Sequence, residues 1–168
     1  AAEILDDSVR LHLCPDKIRT AQWASVMTTA HGVGLGSTAT VMFGHIDGPD
    51  SWAEHLEVIR RIQAETGGFT EFVPLPYVHM AAPLYLRRIG RRGPTFREGV
   101  LMHAVGRIAY RGLIDNVQAS WVKLGVDGVR QLLRAGVNDL GGTLMDETIS
   151  RSAGATHGQG MEADDFAT

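Results

Sequence analysis

Polar side chains gather at four points of the chain where a short apolar run ends. The four segments are 44–47 (GHID), 74–79 (PLPYVH), 121–123 (WVK) and 139–143 (DLGGT). In folds built from β/α units, ligands bind at the carboxyl ends of the strands, where loops converge and helix N-termini present free amides. The sequence therefore predicts a polar cleft formed by these four segments.

Two histidines in these segments can take part in binding or proton transfer. His45 directly follows a predicted buried strand, and an imidazole gains or loses a proton near neutral pH. A histidine in that place can instead hold a loop carbonyl. His79 has the same two interpretations, on a loop that can bend away from the cleft. The residue types leave both interpretations open.

Three further features place polar groups in or beside a strand. Glu71 and Gln118 alternate with apolar neighbours, so both are expected to face a barrel interior. A carboxylate there can hold a cationic or amide group, or it can form a structural salt bridge between layers. The pair Gly141-Gly142 either cradles an anion through its backbone amides or makes a tight strand-to-helix turn.

The elements that position these groups alternate between short apolar strands and amphipathic helices. Strands are predicted at 37–43, 69–75, 116–122 and 137–140, and helices after Thr20, from capping boxes at 51–54 and 95–98, over 126–135, and from Thr143. Residues 3–14 are expected to be the trailing end of an earlier strand and its loop. Such alternation is typical of parallel β/α units, and four of them make half a barrel or a small open sheet.

Length and composition set limits on these interpretations. The 168 residues, 44% hydrophobic and 21% charged, are enough for a packed core but too few for a complete (β/α)8 barrel of about 250 residues. A barrel part is expected over 1–155 and a polar, flexible tail over 156–168. The chain opens on alanine without methionine and is interpreted as a portion of a larger protein.

The same figures indicate which partners and compartments to expect. A formal net charge of -3 without a basic stripe argues against nucleic-acid binding, and no apolar run is long enough to span a membrane. The single cysteine, Cys14, cannot form an internal disulfide and suits a reducing cytoplasm. His12, His31, His55 and His103 lack metal-ligand spacing and are expected on the surface or on helix faces, so no metal ligand is assigned.

Several segments taken together resemble one enzyme family. They are 3–10 (EILDDSVR), 14–18 (CPDKI), 38–45 (TATVMFGH) and 63–69 (QAETGGF), and they resemble radical S-adenosylmethionine enzymes that include the deazaflavin (FO) synthases and the futalosine-pathway menaquinone enzymes. Segments 70–75 (TEFVPL), 93–98 (GPTFRE) and 138–147 (NDLGGTLMDE) are similar to the tyrosine-using half of FO synthase. The similarity extends from Ala2 to about Met161.

The resemblance implies a fold and an activity. The fold would be the carboxy-terminal half of a radical S-adenosylmethionine (β/α) TIM-type barrel. The activity would be a transferase that joins a tyrosine-derived 4-hydroxybenzyl group to 5-amino-6-(D-ribitylamino)uracil in FO and coenzyme F420 biosynthesis, with S-adenosylmethionine and a 4Fe–4S cluster as cofactors. Two alternatives remain: a futalosine-pathway menaquinone enzyme, and a non-catalytic half-barrel that serves as a binding or assembly module.

The resemblance also assigns site residues by position. Glu3 and Arg10 match residues expected to hold the amino-acid end of S-adenosylmethionine, because carboxylate suits ammonium and guanidinium suits carboxylate. His45 lies in the Gly-His loop and is grouped with the cofactor-binding residues. The candidate substrate contacts are Glu71, His79, Gln118 and Asp139, and no catalytic residue is assigned. Asp47 stands where the family usually has glutamate.

The cluster ligands are the largest departure from the family pattern. Such enzymes hold the 4Fe–4S cluster with three cysteines spaced CxxxCxxC, whereas this chain has one cysteine in a different segment. The chain alone is therefore expected to be inactive. Its expected partners are the two small-molecule substrates, an amino-terminal half-barrel and the cyclising half of FO synthase.

Overall fold

A three-stranded parallel sheet forms the centre of the chain. The computed structural model describes residues 3–142, 146–158 and 160–167. The strands are β1 (Ser37–Phe43), β2 (Phe69–Pro76) and β3 (Asn116–Val117), in the order β1-β2-β3. The helices are α1 (Asp7–Leu13), α2 (Thr20–Gly32), α3 (Pro49–Thr66), α4 (Pro83–Leu86), α5 (Phe96–Ala109), α6 (Trp121–Leu133) and α7 (Ile149–Ser152), followed by a 3-10 turn at Ala163–Ala167. The α/β class and the partial parallel barrel are confirmed.

The register gives the sheet two chemically different faces. Thr38 pairs with Glu71, and Phe72 pairs with Val117. Because side chains alternate along a strand, one face carries the fully buried Ala39, Val41, Phe43, Phe72 and Val117, which pack under the helices. The opposite face carries Thr38, Thr40, Glu71 and Gln118. This second face is open and is called the lumen face below.

The two later strands are shorter than the sequence predicts. The predicted strand 116–122 ends at Val117, because Trp121 begins α6. The predicted strand 137–140 is reduced to one parallel bridge between Gln118 and Asp139. The side chain of Asn138 accepts the Val117 amide at 2.9 Å, in place of a backbone carbonyl, so a full ladder does not form there.

The start of α5 and the end of α3 lie where the sequence has residue types typical of helix ends. Thr95 and Glu98 form the predicted capping box of α5, and Gly67 ends α3 in the left-handed region. The box predicted at 51–54 is wrong: α3 begins at Pro49, and the Ser51 hydroxyl donates instead to Asp6 Oδ2 at 2.7 Å. Thr20 is the first residue of α2 rather than its N-cap.

The amino-terminal segment is partly as expected. The carbonyl of Glu3 accepts the Met42 amide at 2.8 Å, which places residues 3–5 beside β1. The residues that follow are helical rather than a loop, because Asp6 caps α1 through the amides of Ser8 and Val9. The long segment 76–94 contains the short helix α4.

Of the helix predicted to start at Thr143, residues 143–145 lie outside the described residues. Residues 146–148 are not helical, and α7 starts at Ile149. Met161 and Phe166, from the predicted tail, are partly buried and pack against the core. In the described part of the chain, no helix is long and apolar enough to cross a membrane.

Three of the histidines expected at the surface or on helix faces do belong to helices, but their rings lie inside the fold. His55 and His103 are fully buried and His31 nearly so. Their hydrogen bonds are not revealed by the sequence: His55 Nδ1 accepts the Leu5 amide, the ring of His31 contacts the hydroxyls of Thr66 and Ser37, and Nδ1 of His103 lies 2.7 Å from the Gly99 carbonyl of its own helix. The partners of His31 and His55 come from other elements, so helical position alone could not show that these rings are buried.

Candidate active site on the lumen face

Three of the four predicted substrate residues meet on the lumen face. Gln118 Nε2 donates to Glu71 Oε2 at 3.2 Å and to Asp139 Oδ2 at 3.3 Å. Thr38 donates its hydroxyl to Glu71 Oε1 at 2.8 Å, and the Gly141 amide donates to Asp139 Oδ1 at 2.7 Å. Glu71, Gln118 and Asp139, called the lumen array below, are each partly exposed.

The register of the strands explains this meeting. Glu71 pairs with Asn116, so Gln118, two residues further along, lies on the same face as Glu71. The bridge between Gln118 and Asp139 adds the second carboxylate. Two carboxylates are thus separated by one neutral amide, and their remaining lone pairs can accept hydrogen bonds from N–H groups. The array suits a ligand rich in N–H donors or carrying an ammonium group.

His45 lies just after β1, and both of its ring nitrogens have partners close in the sequence, one in β1 and one in the loop. Nδ1 accepts the Ile46 amide at 2.8 Å, and Nε2 lies 2.9 Å from the Met42 carbonyl, to which it can donate. Burial lowers the pKa of His45, although the negative charge of the nearby Asp47 opposes this shift. The lowered pKa favours the neutral ring. His45 therefore holds the backbone on either side of it, where β1 ends and the next loop begins.

Asp47 organises the same loop from a buried position. Its carboxylate accepts the amides of Gly44 and His45, at 2.9 and 2.7 Å, and the indole N–H of Trp52. Gly44 has φ of 89°, and a Cβ there would lie 2.3 Å from Cδ of Pro94. The loop after β1 and the loop after β2 therefore touch at Gly44. The aspartate at this position still supplies the carboxylate that the family pattern leads one to expect.

Glu3 lines a cavity of about 400 Å³ beside β1. Its Oε1 pairs with Lys17, while its buried Oε2 has no hydrogen bond to the described residues and lies 3.9 Å from Arg10 Nη1. Burial alone would raise the pKa of Glu3, but the hydrogen bond from Lys17 opposes this effect and the pKa is lowered. The lowered pKa favours the ionised carboxylate. Cys14 lines the same cavity and is a free thiol.

The side chain of Arg10 is buried and bonded to backbone carbonyls, unlike an arginine that is free to bind a ligand. Its side chain is 2% exposed, and its guanidinium donates to the carbonyls of Ile4 at 2.9 Å and Ile18 at 2.6 Å. These bonds tie the segment that carries Glu3 to the connection between α1 and α2. Sequence reasoning could not detect this, because the acceptors are backbone carbonyls.

His79 lies apart from the lumen array, in a second cavity of about 270 Å³. Its ring packs edge-on against Tyr85, with the centroids 4.7 Å apart. Lys123 and His157 line the same cavity. The sequence marks Lys123 only as part of a strand end and does not single out His157. In the described ranges, no group of three or more His, Cys, Asp or Glu side chains could hold a metal ion.

Comparison with known proteins decides the family. Residues 66–165 match the family model described as the CofH/MqnC C-terminal region. The chain belongs to this family. The matched range includes Glu71, Gln118 and Asp139 of the lumen array, as well as His79 and Lys123. It confirms the resemblance deduced from the sequence segments.

Individual relatives agree with this assignment. An FO synthase from Nocardia farcinica is 59% identical over 158 residues, which is 94% of this chain and 18% of that protein. A 5-amino-6-(D-ribitylamino)uracil–L-tyrosine 4-hydroxyphenyl transferase from Methanothermobacter thermautotrophicus is 52% identical over 166 residues, which is 99% of this chain and 45% of that protein. The transferase from Methanocaldococcus jannaschii gives 52% over 99% of this chain. The chain thus spans less than half the length of these relatives.

Proposed function

We propose that this chain is the carboxy-terminal part of a radical S-adenosylmethionine transferase that joins a tyrosine-derived 4-hydroxybenzyl group to 5-amino-6-(D-ribitylamino)uracil, in the formation of FO and coenzyme F420. The observation that carries the proposal is the 52% identity, over 99% of the chain, to relatives named after this transfer. The lumen array supports it, because it provides hydrogen-bond acceptors on the open face of the sheet.

The array is proposed to bind the diaminouracil substrate. That molecule carries two ring N–H groups and two exocyclic nitrogen donors, and ionised carboxylates accept hydrogen bonds without donating any. Thr38 and the Gly141 amide hold the outer oxygens of Glu71 and Asp139, so the carboxylates are oriented before a ligand arrives. Orientation before binding lowers the entropy lost when the ligand binds.

Glu3 is the residue of this chain that best fits the proposed cofactor. Its buried Oε2 lacks a hydrogen-bond partner among the described residues and can accept a hydrogen bond from the ammonium group of S-adenosylmethionine. Arg10 is proposed to position Glu3 through the Ile4 carbonyl, and His45 to shape the loop at the end of β1. When bound, S-adenosylmethionine and a 4Fe–4S cluster would supply the radical that activates tyrosine.

A further segment must hold the cluster. One cysteine cannot provide three thiolate ligands, so the chain alone is proposed to be inactive. An amino-terminal half-barrel is the proposed partner of the lumen face, and the cyclising half of FO synthase is proposed to act on the product. A reducing cytoplasm suits both the proposed cluster and the free Cys14. Nucleic acid and membrane have no role in this proposal.

A chimera tests the proposed function. The amino-terminal part of the Methanothermobacter transferase, which this chain does not cover, is joined to the 168 residues and reconstituted anaerobically with iron and sulfide. We expect a product that requires both tyrosine and the diaminouracil. Consumption of a futalosine precursor instead would indicate the menaquinone route. If neither substrate reacts while the intact Methanothermobacter enzyme is active in parallel, the alternative of a binding or assembly module is favoured.

A further inference from the structure

The cavity that contains His79 is unusual in the charge of its walls. It lies where β2 ends and where α5 and α6 begin, with a volume of about 270 Å³. Its ionisable lining residues are His79, Lys123, His157 and Tyr77, and none of the described lining residues is Asp or Glu. A cavity lined by hydrogen-bond donors and one ammonium group suits an anionic ligand.

Lys123 is the cation of this cavity, and among the described residues no carboxylate forms an ion pair of 4 Å or less with it. Its Nζ donates to Ser150 Oγ at 2.9 Å, and Ser150 is itself buried. The carboxylate of Glu147, which lies two residues before α7, accepts the Ser150 amide at 3.0 Å instead.

A largely buried ammonium group without a counter-ion is energetically costly. Burial lowers the pKa of Lys123, although the charge of Glu147 opposes this shift. An ammonium has three donor hydrogens, and the described contacts use one of them. A bound anion would supply both the missing charge and acceptors for the remaining hydrogens.

The walls around Lys123 suit an aromatic ligand and are held in place. Phe96 lines the cavity and remains 44% exposed at the start of α5. Another lining residue, His157, packs tightly on α6: Gly125 has φ of 70°, and a Cβ there would lie 2.8 Å from His157 Nδ1. The cavity thus joins an accessible aromatic ring to a cation in a fixed wall.

We propose that this cavity binds the carboxylate group of the amino-acid substrate, with Lys123 as its charge partner. The inference rests on the proposed function, in which that amino acid is L-tyrosine. It separates the two substrates: the diaminouracil lies on the carboxylates of the lumen array, and the amino acid lies against Lys123. His79, which the sequence analysis predicts as a substrate contact, lines the same cavity as Lys123.

Binding of matched ligands to the chimera tests the inference without turnover. L-Tyrosine and tyramine differ only in the carboxylate, and their affinities are compared by equilibrium dialysis. We expect tyrosine to bind at least about tenfold more tightly than tyramine, as a charge-assisted pair permits. Lys123→Met should abolish this preference, and Lys123→Arg should keep part of it. Arg130→Met, which removes an exposed cation on α6, is the matched control and should change nothing.

Chemical protection gives a second measurement that needs no variant. The chain has two lysines, Lys17 and Lys123, so acetylation of each can be followed by mass spectrometry with Lys17 as the internal reference. Tyrosine should protect Lys123, and tyramine should not. Equal binding of the two ligands, or equal protection, would overturn the inference. A tyrosine preference without any product would overturn the proposed function and leave the carboxylate site standing.

Discussion

Gln118 donates to Glu71 across the sheet at 3.2 Å, and the same nitrogen lies 3.3 Å from Asp139. Glu71 belongs to β2, Gln118 directly follows β3, and Asp139, which follows α6, forms the bridge with Gln118. One neutral amide therefore holds two negative side chains near each other on the lumen face. Electrostatic repulsion between them is reduced by the amide and by any N–H donor that binds there.

Removing one charge from the array should weaken diaminouracil binding. Glu71→Gln keeps the shape of the side chain but replaces a charge-assisted hydrogen bond, worth about 1.5–3 kcal/mol, so KM for the uracil in the chimera should rise about 10- to 100-fold. Steady-state kinetics measures the change. Glu57→Gln, on the exposed face of α3, is the control. An unchanged KM in Glu71→Gln would remove the array from the binding site.

The contact between Gly44 and Pro94 should be sensitive to a single methyl group. Gly44→Ala forces a left-handed backbone on alanine and drives its Cβ into Pro94, so the free energy of unfolding should fall by about 2–4 kcal/mol. Urea unfolding measures it. Gly32→Ala, where a Cβ meets nothing within 4 Å, should leave stability unchanged or slightly higher. Equal effects of the two variants would show that the loops do not touch.

Acid should destabilise the chain through His55. Burial, and secondly the Arg10 cation, lower the pKa of His55 from its ordinary value of 6.5 to about 3. The unfolded chain binds this proton first, so stability is complete above about pH 6.5 and is lost as the pH falls toward 3. The loss from His55 alone should reach about 2 kcal/mol at pH 5.

Two measurements check the role of His55. Urea unfolding at pH 7 and at pH 5 gives the total loss of stability, and NMR of the folded chain shows whether the His55 ring remains neutral over that range. We expect its ring signals to stay constant between the two pH values. Titration of His55 in the folded chain near pH 6 would contradict the burial that the structure shows.

Glu98 should hold the segment after β2 in place. It accepts the Thr95 amide in the capping box of α5 and pairs with Arg91, whose backbone amide donates to the His45 carbonyl. Burial opposes ionisation, but hydrogen bonds from Arg91 and Thr95 lower the pKa of Glu98. Glu98→Gln should therefore speed tryptic cleavage within 87–92 severalfold. Glu54→Gln on α3 is the control, and equal cleavage rates would contradict the role.

The strands and the polar face were predictable because they depend on local pattern. The β-branched run of β1 and the alternation around Glu71 identify both the strands and the side chains that face the lumen. The meeting of Glu71 and Gln118 then follows from this alternation, which puts both side chains on the same face of neighbouring strands, and Asp139 joins them through its bridge to Gln118. That prediction needed no knowledge of individual contacts.

Other features depend on partners far away in the sequence. The sequence indicates Arg10 as a ligand-binding residue, whereas in the structure its guanidinium donates to the Ile4 and Ile18 carbonyls. The strand predicted at 137–140 is reduced to one bridge, and there the Asn138 side chain accepts the Val117 amide in place of a backbone carbonyl. Lys123 becomes a candidate site only when the chain near Ser150 folds over it. Periodicity contains no information about such contacts.

The most direct test of the central claim follows the tyrosine ring into product. The chimera is reconstituted anaerobically and supplied with the diaminouracil and with tyrosine labelled with carbon-13 throughout its ring, and the product is analysed by mass spectrometry. We predict a diaminouracil adduct that contains the complete labelled ring, and its loss when tyrosine is omitted. An adduct without label, or none while the intact Methanothermobacter enzyme is active, would contradict the proposal that this chain builds a tyrosine 4-hydroxyphenyl transferase.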